Sequence, residues 1–198
     1  AEALSGAGEG GCWGRLPFTV PTSVAQLPNK LNMDMDHPPG RTYRYLTQVP
    51  LFAFGFGLSF GRFTYSEASV LPSALPASSA AHVIVCAHVV NSEHALAADD
   101  VAQVYARVAV CPNNVHLQSA PLSQLVAFNR TTVMKPGEQQ QVCLTVTLEP
   151  FRLMDTRGNY AVQPCTYELS IGSISPGAQG VFVVPEPLSH CKVNITLT

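Results

Sequence analysis

The sequence predicts a mainly β fold, a two-sheet antiparallel sandwich, for the C-terminal part of the chain. After position 82, apolar and polar residues alternate along several short stretches, which is typical of strands with one buried and one solvent-exposed face. Sixteen prolines and fourteen glycines favour turn-rich β structure over long helices. Roughly six or seven such strands over about 120 residues fit a sandwich.

The predicted strands follow one another closely along the chain. A first strand is expected at 64–66, and alternation then marks 82–91, 102–110, 141–148, 167–171, 181–184 and 193–196. Along 102–110 the alternation assigns the small apolar residues to the core. It assigns Gln103, Tyr105 and Arg107 to the solvent-exposed face.

The connections between these strands carry turn and linker signals. Pro136 presets φ and Gly137 accepts a positive φ, so a turn is predicted there. Asp99 and Asp100 directly precede a strand and are expected as charges at a turn or sheet edge. The stretch 71–81 is rich in small residues and proline, and we expect a flexible linker.

The first sixty residues lack the elements that an independent domain needs. Residues 1–6 are predicted as a helix end with a glycine cap, 8–14 as a loop and 15–20 as a short strand. These elements cannot bury their own apolar faces. We therefore expect this part to be the tail of a larger α/β domain whose body lies upstream, which would make the chain a fragment.

The stretch 39–60, PGRTYRYLTQVPLFAFGFGLSF, combines glycines with many aromatic residues. Glycines allow positive φ and close backbone approach, and the rings supply apolar area. Neither the helical nor the strand period runs through it, so we predict an ordered, irregular segment that crosses between the two parts. Packing beneath two domains accounts for this composition without any chemistry.

Overall composition excludes some classes of function. The 198 residues carry a net charge of −2, which gives no basic face for nucleic acid. Although 46% of the residues are hydrophobic, no run approaches the roughly 18 apolar residues of a membrane span.

Six cysteines and two glycosylation sequons, at Asn129 and Asn194, favour a secretory compartment. We expect a secreted or extracellular protein, or a vacuolar or lysosomal one. The cysteines have no CxxC pair and no zinc spacing, and they can pair in fifteen different ways. Buried free thiols and unmodified asparagines remain the alternative.

Motifs in the aromatic stretch resemble the end of the second domain of family 3 glycoside hydrolases. The strings are PGRTYRY at 39–45, PLF at 50–52 and FGFGLSF at 54–60, in that order. With NMDM at 32–35, they most resemble the β-xylosidase branch. The resemblance implies that 1–62 is the C-terminal tail of the family's α/β second domain and that 63–198 is the domain after it.

The rest of the chain resembles the fibronectin type III-like domain that closes these enzymes, which implies a fibronectin III/Ig-like sandwich. The matching positions are Asn91, Asp100, Val101, Gln103, Val104, Tyr105, Leu125, Phe128, Arg130, 136–138 and 171–173. Ala127 and Cys165 stand where the family usually carries glycine, so Cys165 marks either an altered turn or a disulfide. Residues 109–121 look like an enlarged loop relative to the family.

The resemblance implies no catalytic residue in this chain. In family 3 the nucleophilic aspartate belongs to an N-terminal barrel, and the acid/base glutamate lies well upstream of 15–20. Asp34 and Asp36 are close in sequence, and we expect a solvated acidic turn. The histidines lack HxH and HExxH spacing, and 57–59 lacks the G-x-S-x-G elbow. We therefore expect no catalytic, substrate-binding or metal residue and no cofactor.

Exposed aromatic residues are the remaining candidates for a sugar-binding surface. These are Trp13, Tyr43, Tyr45 and Tyr105, with packing in the core or between domains as the favoured alternative. Arg41 and Arg44 are expected to pair with carboxylates or to cap backbone carbonyls between domains.

Together, these observations predict the non-catalytic C-terminal part of a retaining family 3 β-glycosidase, inactive alone. The substrate class that the resemblance implies is terminal β-linked xylose, or related sugars, of plant-type polysaccharides. Expected partners are the upstream catalytic domains of the same polypeptide and a saccharide substrate, with no nucleic acid and no membrane span. The alternative is a stand-alone sandwich module that binds carbohydrate or protein. An adhesion-type Ig-like domain would explain the sandwich and sequons, but not the strings at 39–60.

Overall fold

A computed structural model describes residues 14–77, 81–176 and 190–198 of the chain. The strands in these ranges are β1 (Phe63–Leu71), β2 (Ala74–Leu75), β3 (His82–Asn91), β4 (Val101–Val110), β5 (Gln124–Arg130), β6 (Gln139–Thr147), β7 (Arg152–Met154), β8 (Tyr160–Val162), β9 (Thr166–Gly172) and β10 (Cys191–Leu197). One α-helical turn, α1 (Thr42–Tyr45), precedes them, and 3-10 turns lie at Val24–Gln26 and Glu149–Phe151.

Two sheets face each other across the core. The first has the order β1-β3-β6 and the second the order β2-β10-β9-β4-β5, while β7 and β8 form a separate hairpin. Neighbouring strands are antiparallel, except that β2 pairs in parallel with β10. The predicted mainly β sandwich is confirmed.

Alternation in the sequence becomes alternation in burial on the inner faces of both sheets. In the first sheet the buried residues include Val83, Val85, Val89, Val142, Leu144 and Val146. In the second sheet they include Val104, Tyr167, Leu169, Ile171, Ile195 and Leu197. Burying these apolar side chains contributes about 0.8 kcal/mol per CH₂ group, and this contribution holds the two sheets together.

The prediction of a flexible linker at 71–81 is wrong for the part of this stretch that the structure describes. β1 runs to Leu71, and β2 pairs with Thr196 and Leu197 of β10. The Ala77 amide donates to the Thr198 carbonyl at 2.8 Å. This stretch shows no period because so short an edge strand has no pattern to display.

Other local predictions had mixed outcomes. The turn at Pro136-Gly137 is confirmed, with Gly137 at φ +75. The strand predicted at 15–20 is wrong, because only Val20 bridges, to Phe52. The helix end at 1–6 and the strand at 181–184 lie outside the described residues. β5, β7 and β8 went unpredicted, since none of them alternates clearly.

Two disulfides form among the described cysteines. Cys86 and Cys143 are directly opposite each other on β3 and β6. Cys111, just after β4, pairs with Cys165, just before β9, so the departure from glycine at that turn is a disulfide. Cys191 keeps a free thiol, and Cys12 lies outside the described residues.

Removing the Cys86–Cys143 disulfide should destabilise the sandwich. The bond closes a loop with a sequence separation of 57, so the double variant Cys86→Ser/Cys143→Ser is expected to lose about 4 kcal/mol of unfolding free energy. Urea unfolding under non-reducing conditions measures this. Cys191→Ser is the control and should change stability by no more than about 1 kcal/mol. An unchanged unfolding midpoint in the double variant would contradict the prediction.

Candidate functional site: the junction between the crossing segment and the sandwich

The crossing segment, residues 39–60, lies against the outer face of the five-stranded sheet. Its Tyr43 and Phe54 rings stack with centroids 4.0 Å apart. Both rings meet Tyr105 of β4 edge-on, at 6.1 Å and 6.4 Å. As a result, Tyr105 is only 1% exposed.

Gly40 sets the start of α1. It has φ +89, and a Cβ there would lie 2.0 Å from the Tyr45 carbonyl oxygen, so no other residue fits the turn. After α1, backbone hydrogen bonds with residues upstream of the crossing segment hold the chain in place. The Leu16 amide donates to the Phe56 carbonyl at 2.8 Å, and the Val20 amide donates to that of Phe52 at 2.9 Å. Apart from the single turn α1, the segment is therefore ordered without regular secondary structure, as predicted.

Gly55 allows the crossing segment to approach β4 closely. It has φ +80, and a Cβ would lie 2.4 Å from Oε1 of Gln103. Gln103 is buried, and its Nε2 donates to the Ser173 carbonyl at 2.6 Å. The Tyr105 hydroxyl donates to Gln103 Oε1 at 2.6 Å, and burial raises the pKa of Tyr105 strongly.

The prediction that Gln103 and Tyr105 face solvent is therefore wrong. The outer face of β4 is covered along its first half, whereas Arg107, further along the strand, is exposed as predicted. Arg107 forms a bidentate pair with Glu168 at 2.9 Å and 3.0 Å, and this hydrogen bonding holds the pKa of Glu168 below its usual range.

Asp100 is the centre of this junction. Its side chain is fully buried and pairs with the guanidinium of Arg15 from the first part of the chain. It also accepts hydrogen bonds from the Tyr65 hydroxyl at 2.6 Å and from the Ser173 hydroxyl at 2.5 Å. Burial first, and then the neighbouring Asp100 charge, raise the pKa of Tyr65 well above its usual range.

The interpretation of Asp100 as a turn or edge charge is wrong. Its main partner, Arg15, lies 85 residues away in sequence, so no local pattern could have indicated the pair. Asp99 does behave as expected, since it pairs with the partly exposed Arg130 at 2.8 Å. The two adjacent carboxylates thus differ mainly in their partners. Asp100 is fully buried beside the largely buried Arg15, whereas Asp99, 11% exposed, pairs with an arginine that is 44% exposed.

The fold does not bring Tyr43, Tyr45 and Tyr105 onto one exposed surface. Tyr105 is buried, and Tyr43 is packed in the junction, where its hydroxyl accepts from the Leu125 amide at 3.0 Å. Tyr45 is half-buried and lines a separate cleft with Asp34 and Asp36. Trp13 lies outside the described residues.

Arg41 and Arg44 bind oxygen atoms of the polypeptide. Nη2 of Arg41 donates to the Asn29 carbonyl at 2.8 Å and also to that of Asn32. Nη2 of Arg44 donates to Oε1 of Gln124 on β5 at 2.9 Å. The expectation was that these arginines pair with carboxylates or cap carbonyls between domains. Arg41 does cap carbonyls, but those of its own part of the chain, whereas Arg44 connects α1 to the sandwich through a side-chain amide.

Asp34 and Asp36 lie in an exposed loop and hydrogen-bond to each other. This bond raises the pKa of Asp34. The pKa of Asp36 is lowered, chiefly by a hydrogen bond from Ser119. In the part of the chain that the structure describes, no group of three or more histidine, cysteine or carboxylate side chains is placed to hold a metal.

The sequon residues Asn129 and Asn194 are both exposed, on β5 and β10. Their glycosylation stays a prediction. Among the described residues, no helix is long and apolar enough to cross a membrane.

Comparison with known domains matches the profile described as "Fibronectin type III-like domain" to residues 100–175. Those residues are a fibronectin type III-like domain. They run from the buried Asp100 through β4, β5, β6 and β9, which together contribute to both sheets.

Sequence similarity extends well beyond that domain. An exo-1,4-β-xylosidase of Emericella nidulans is 30% identical over 172 residues, covering 80% of this chain and 22% of the relative. A β-xylosidase of Formosa agariphila is 27% identical over 164 residues, covering 82% and 21%. The chain thus spans about a fifth of the length of these relatives. It is similar to the C-terminal region of family 3 glycoside hydrolases, as its motifs indicated.

Solved structures show the same fold. A β-glucosidase of Chaetomella raphigera superposes with a TM-score of 0.68 at 22% identity, covering 93% of this chain and 26% of that one. A GH3 exo-β-xylosidase superposes with a TM-score of 0.63 at 21% identity, covering 93% and 24%. The shared fold therefore includes the first part of the chain as well as the sandwich.

Replacing Asp100 should be far more costly than replacing its neighbour. Asp100→Asn leaves the Arg15 guanidinium, only 15% exposed, without its counter-charge, and we expect a loss of about 3 kcal/mol of unfolding free energy. The matched control, Asp99→Asn, breaks a pair whose arginine is 44% exposed and should cost about 1 kcal/mol or less. Equal losses in chemical denaturation would contradict a central role for Asp100.

Gly158 and Gly55 both have a positive φ, so alanine substitutions at the two positions separate the cost of backbone strain from the cost of steric overlap. Gly158→Ala has open space around its Cβ and should cost about 1–2 kcal/mol of strain. Gly55→Ala has a similar φ but would also overlap Gln103, so a total of about 3 kcal/mol or more is expected. Urea unfolding of both variants measures the difference. If both cost the same, the contact between Gly55 and β4 is not as close as described.

Proposed function

We propose that this chain is the C-terminal, non-catalytic part of a retaining family 3 β-glycosidase, β-xylosidase-like, whose whole polypeptide acts on terminal β-linked xylose or related sugars of plant-type polysaccharides. One observation carries the proposal. The similarity to relatives named β-xylosidase and β-glucosidase covers about 80% of this chain but only about a fifth of each relative. It therefore extends into the first part of the chain and is not confined to the fibronectin type III-like domain.

The surface of the first part supports this proposal. Large apolar side chains are exposed there, namely Phe18, Val24, Leu27, Leu31, Met33, Met35, Val49, Leu58 and Phe60. Some of them line an apolar groove of about 520 Å³ that also includes Pro17 and Phe54. An exposed apolar groove of this kind commonly marks an interface. In our proposal, upstream catalytic domains of the same polypeptide cover it, and the domain boundary lies between 62 and 63.

Among the described residues, the carboxylates of Asp34, Asp36 and Asp100 are unsuited to retaining hydrolysis. That reaction needs two carboxyl groups about 5–5.5 Å apart, one on each side of the scissile bond. Asp34 and Asp36 lie two positions apart in one exposed loop rather than on two sides of a site, and Asp100 is buried and fully occupied by its partners. The catalytic acid and nucleophile are therefore assigned to upstream domains.

Secretion is part of the same proposal. Two disulfides and two exposed sequon asparagines suit an oxidising, glycosylating compartment. One relative is named a periplasmic β-glucosidase. Nothing in the comparisons supports the vacuolar or lysosomal alternative. The proposed role in xylan breakdown depends on the relatives named β-xylosidase.

A second function, saccharide binding by a non-catalytic module, is favoured by one feature. The cleft beside Asp34 and Asp36 also contains two tyrosines that are not fully buried, Tyr45 and Tyr160.

Activity and native length test the proposal together. The 198-residue chain should not hydrolyse aryl β-xylosides, β-glucosides or α-arabinosides. Mass spectrometry of the native protein should give a polypeptide several times heavier than 21.2 kDa, and that polypeptide should be active. A native mass near 21.2 kDa would contradict the proposal. So would hydrolysis by the short chain that disappears in Asp34→Asn or Asp36→Asn.

A further inference from the structure

A cleft of about 490 Å³ lies between the acidic loop of the first part of the chain and the β7–β8 hairpin. One wall carries Asp34, Asp36 and Tyr45. The opposite wall carries Ser119, Arg152 and Tyr160. The two walls are more than 70 residues apart in sequence, and the fold alone brings them together.

Aromatic rings are available in this cleft. Tyr160 lies on strand β8 of a folded hairpin and is nevertheless 56% exposed. The Arg152 guanidinium lies over the Tyr160 ring, 5.0 Å from its centroid, and the Arg44 guanidinium lies 5.9 Å from that of Tyr45. Each ring thus has a guanidinium over one face, and Tyr160 is still more than half exposed.

Arg152, which lines the cleft together with Asp34, Asp36 and Ser119, is held in place by the protein. Arg152 donates to Glu149 at 3.0 Å and to the Tyr160 carbonyl at 3.1 Å. Side chains fixed in this way lose little freedom when a ligand arrives, which favours binding.

The chemistry of the walls narrows the class of ligand. A cation would have only two carboxylates and would face two guanidinium groups, which repel it. Nucleic acid phosphates would be repelled by the carboxylates. A neutral sugar fits both features, because its C–H face packs on an aromatic ring while its hydroxyls donate to carboxylates and accept from guanidinium groups.

We propose that the cleft between Asp36 and Tyr160 binds a neutral saccharide unit, with Tyr160 as the stacking surface and Asp36 and Arg152 as hydrogen-bonding groups. The inference depends on the residues of the cleft alone. It holds whether or not a longer polypeptide is a glycosidase, and its test uses binding rather than hydrolysis.

Calorimetric titration of the 198-residue chain with xylohexaose and with cellohexaose tests the proposal. The unaltered chain should bind at least one of them. Tyr160→Ala should weaken that binding about tenfold or more, whereas Tyr160→Phe, which keeps the ring, should stay within about threefold. Asp36→Asn should also weaken binding. Phe128→Ala removes an exposed ring on β5, outside the cleft, and should change nothing.

Circular dichroism and thermal melting establish that each variant is folded before it is titrated. The proposal is overturned if the unaltered chain binds neither saccharide at millimolar concentration. It is also overturned if folded Tyr160→Ala and Asp36→Asn bind as tightly as the unaltered chain. Binding of Ca²⁺ alone, with no saccharide bound, would show a cation site instead and would equally overturn it.

Discussion

The buried carboxylate of Asp100 is the interaction on which the rest of this structure depends. An ionised group without solvent must be paired and hydrogen-bonded, because desolvation alone costs several kcal/mol. Asp100 finds those partners in three separate places: Arg15 before the sandwich, Tyr65 on β1 and Ser173 after β9. The position of the first part of the chain relative to both sheets is therefore coupled to a single side chain.

This coupling makes the first part of the chain an integral layer of the fold. If the chain were cut between 62 and 63, Asp100 would lose its counter-charge, and Gln103 and Tyr105 would lose the cover of Gly55 and Phe54. The proposed domain boundary between 62 and 63 would therefore not separate two independently stable units. The crossing segment has one side committed to the sandwich and exposed apolar residues beside it, which is the arrangement expected of an element between two domains.

The sequence predicted the fold where the two faces of a strand meet different surroundings. β3, β6 and β9 alternate because one face lies in the core and the other is polar. The rule fails in the first half of β4, where the chain's own crossing segment, some fifty residues upstream, replaces water as the neighbour of Gln103 and Tyr105. Neither the pairing of Cys86 with Cys143 nor the Asp100 cluster was predictable, since both depend on register and long-range contacts.

The same distinction applies to the candidate site: residues within one stretch of sequence were predictable, and those that only the fold brings near them were not. Sequence reasoning named Asp34, Asp36 and Tyr45 but not Arg152 and Tyr160, because the hairpin that carries the last two closes the cleft only in the folded protein. A pair of exposed carboxylates in one stretch is ordinarily no more than a solvated turn. An opposing wall with an aromatic ring and a fixed guanidinium is what distinguishes this turn from others in the chain.

In this protein, burial decides whether a carboxylate only stabilises the fold or is also able to bind a ligand. Asp100 is saturated by partners and inaccessible, so it can contribute only to stability. Asp34 and Asp36 are exposed, and Ser119 occupies only part of their hydrogen-bonding capacity, so they keep oxygen atoms for a ligand. A carboxylate whose hydrogen bonds are complete holds the domain together, and one whose hydrogen bonds are incomplete remains free to bind something else.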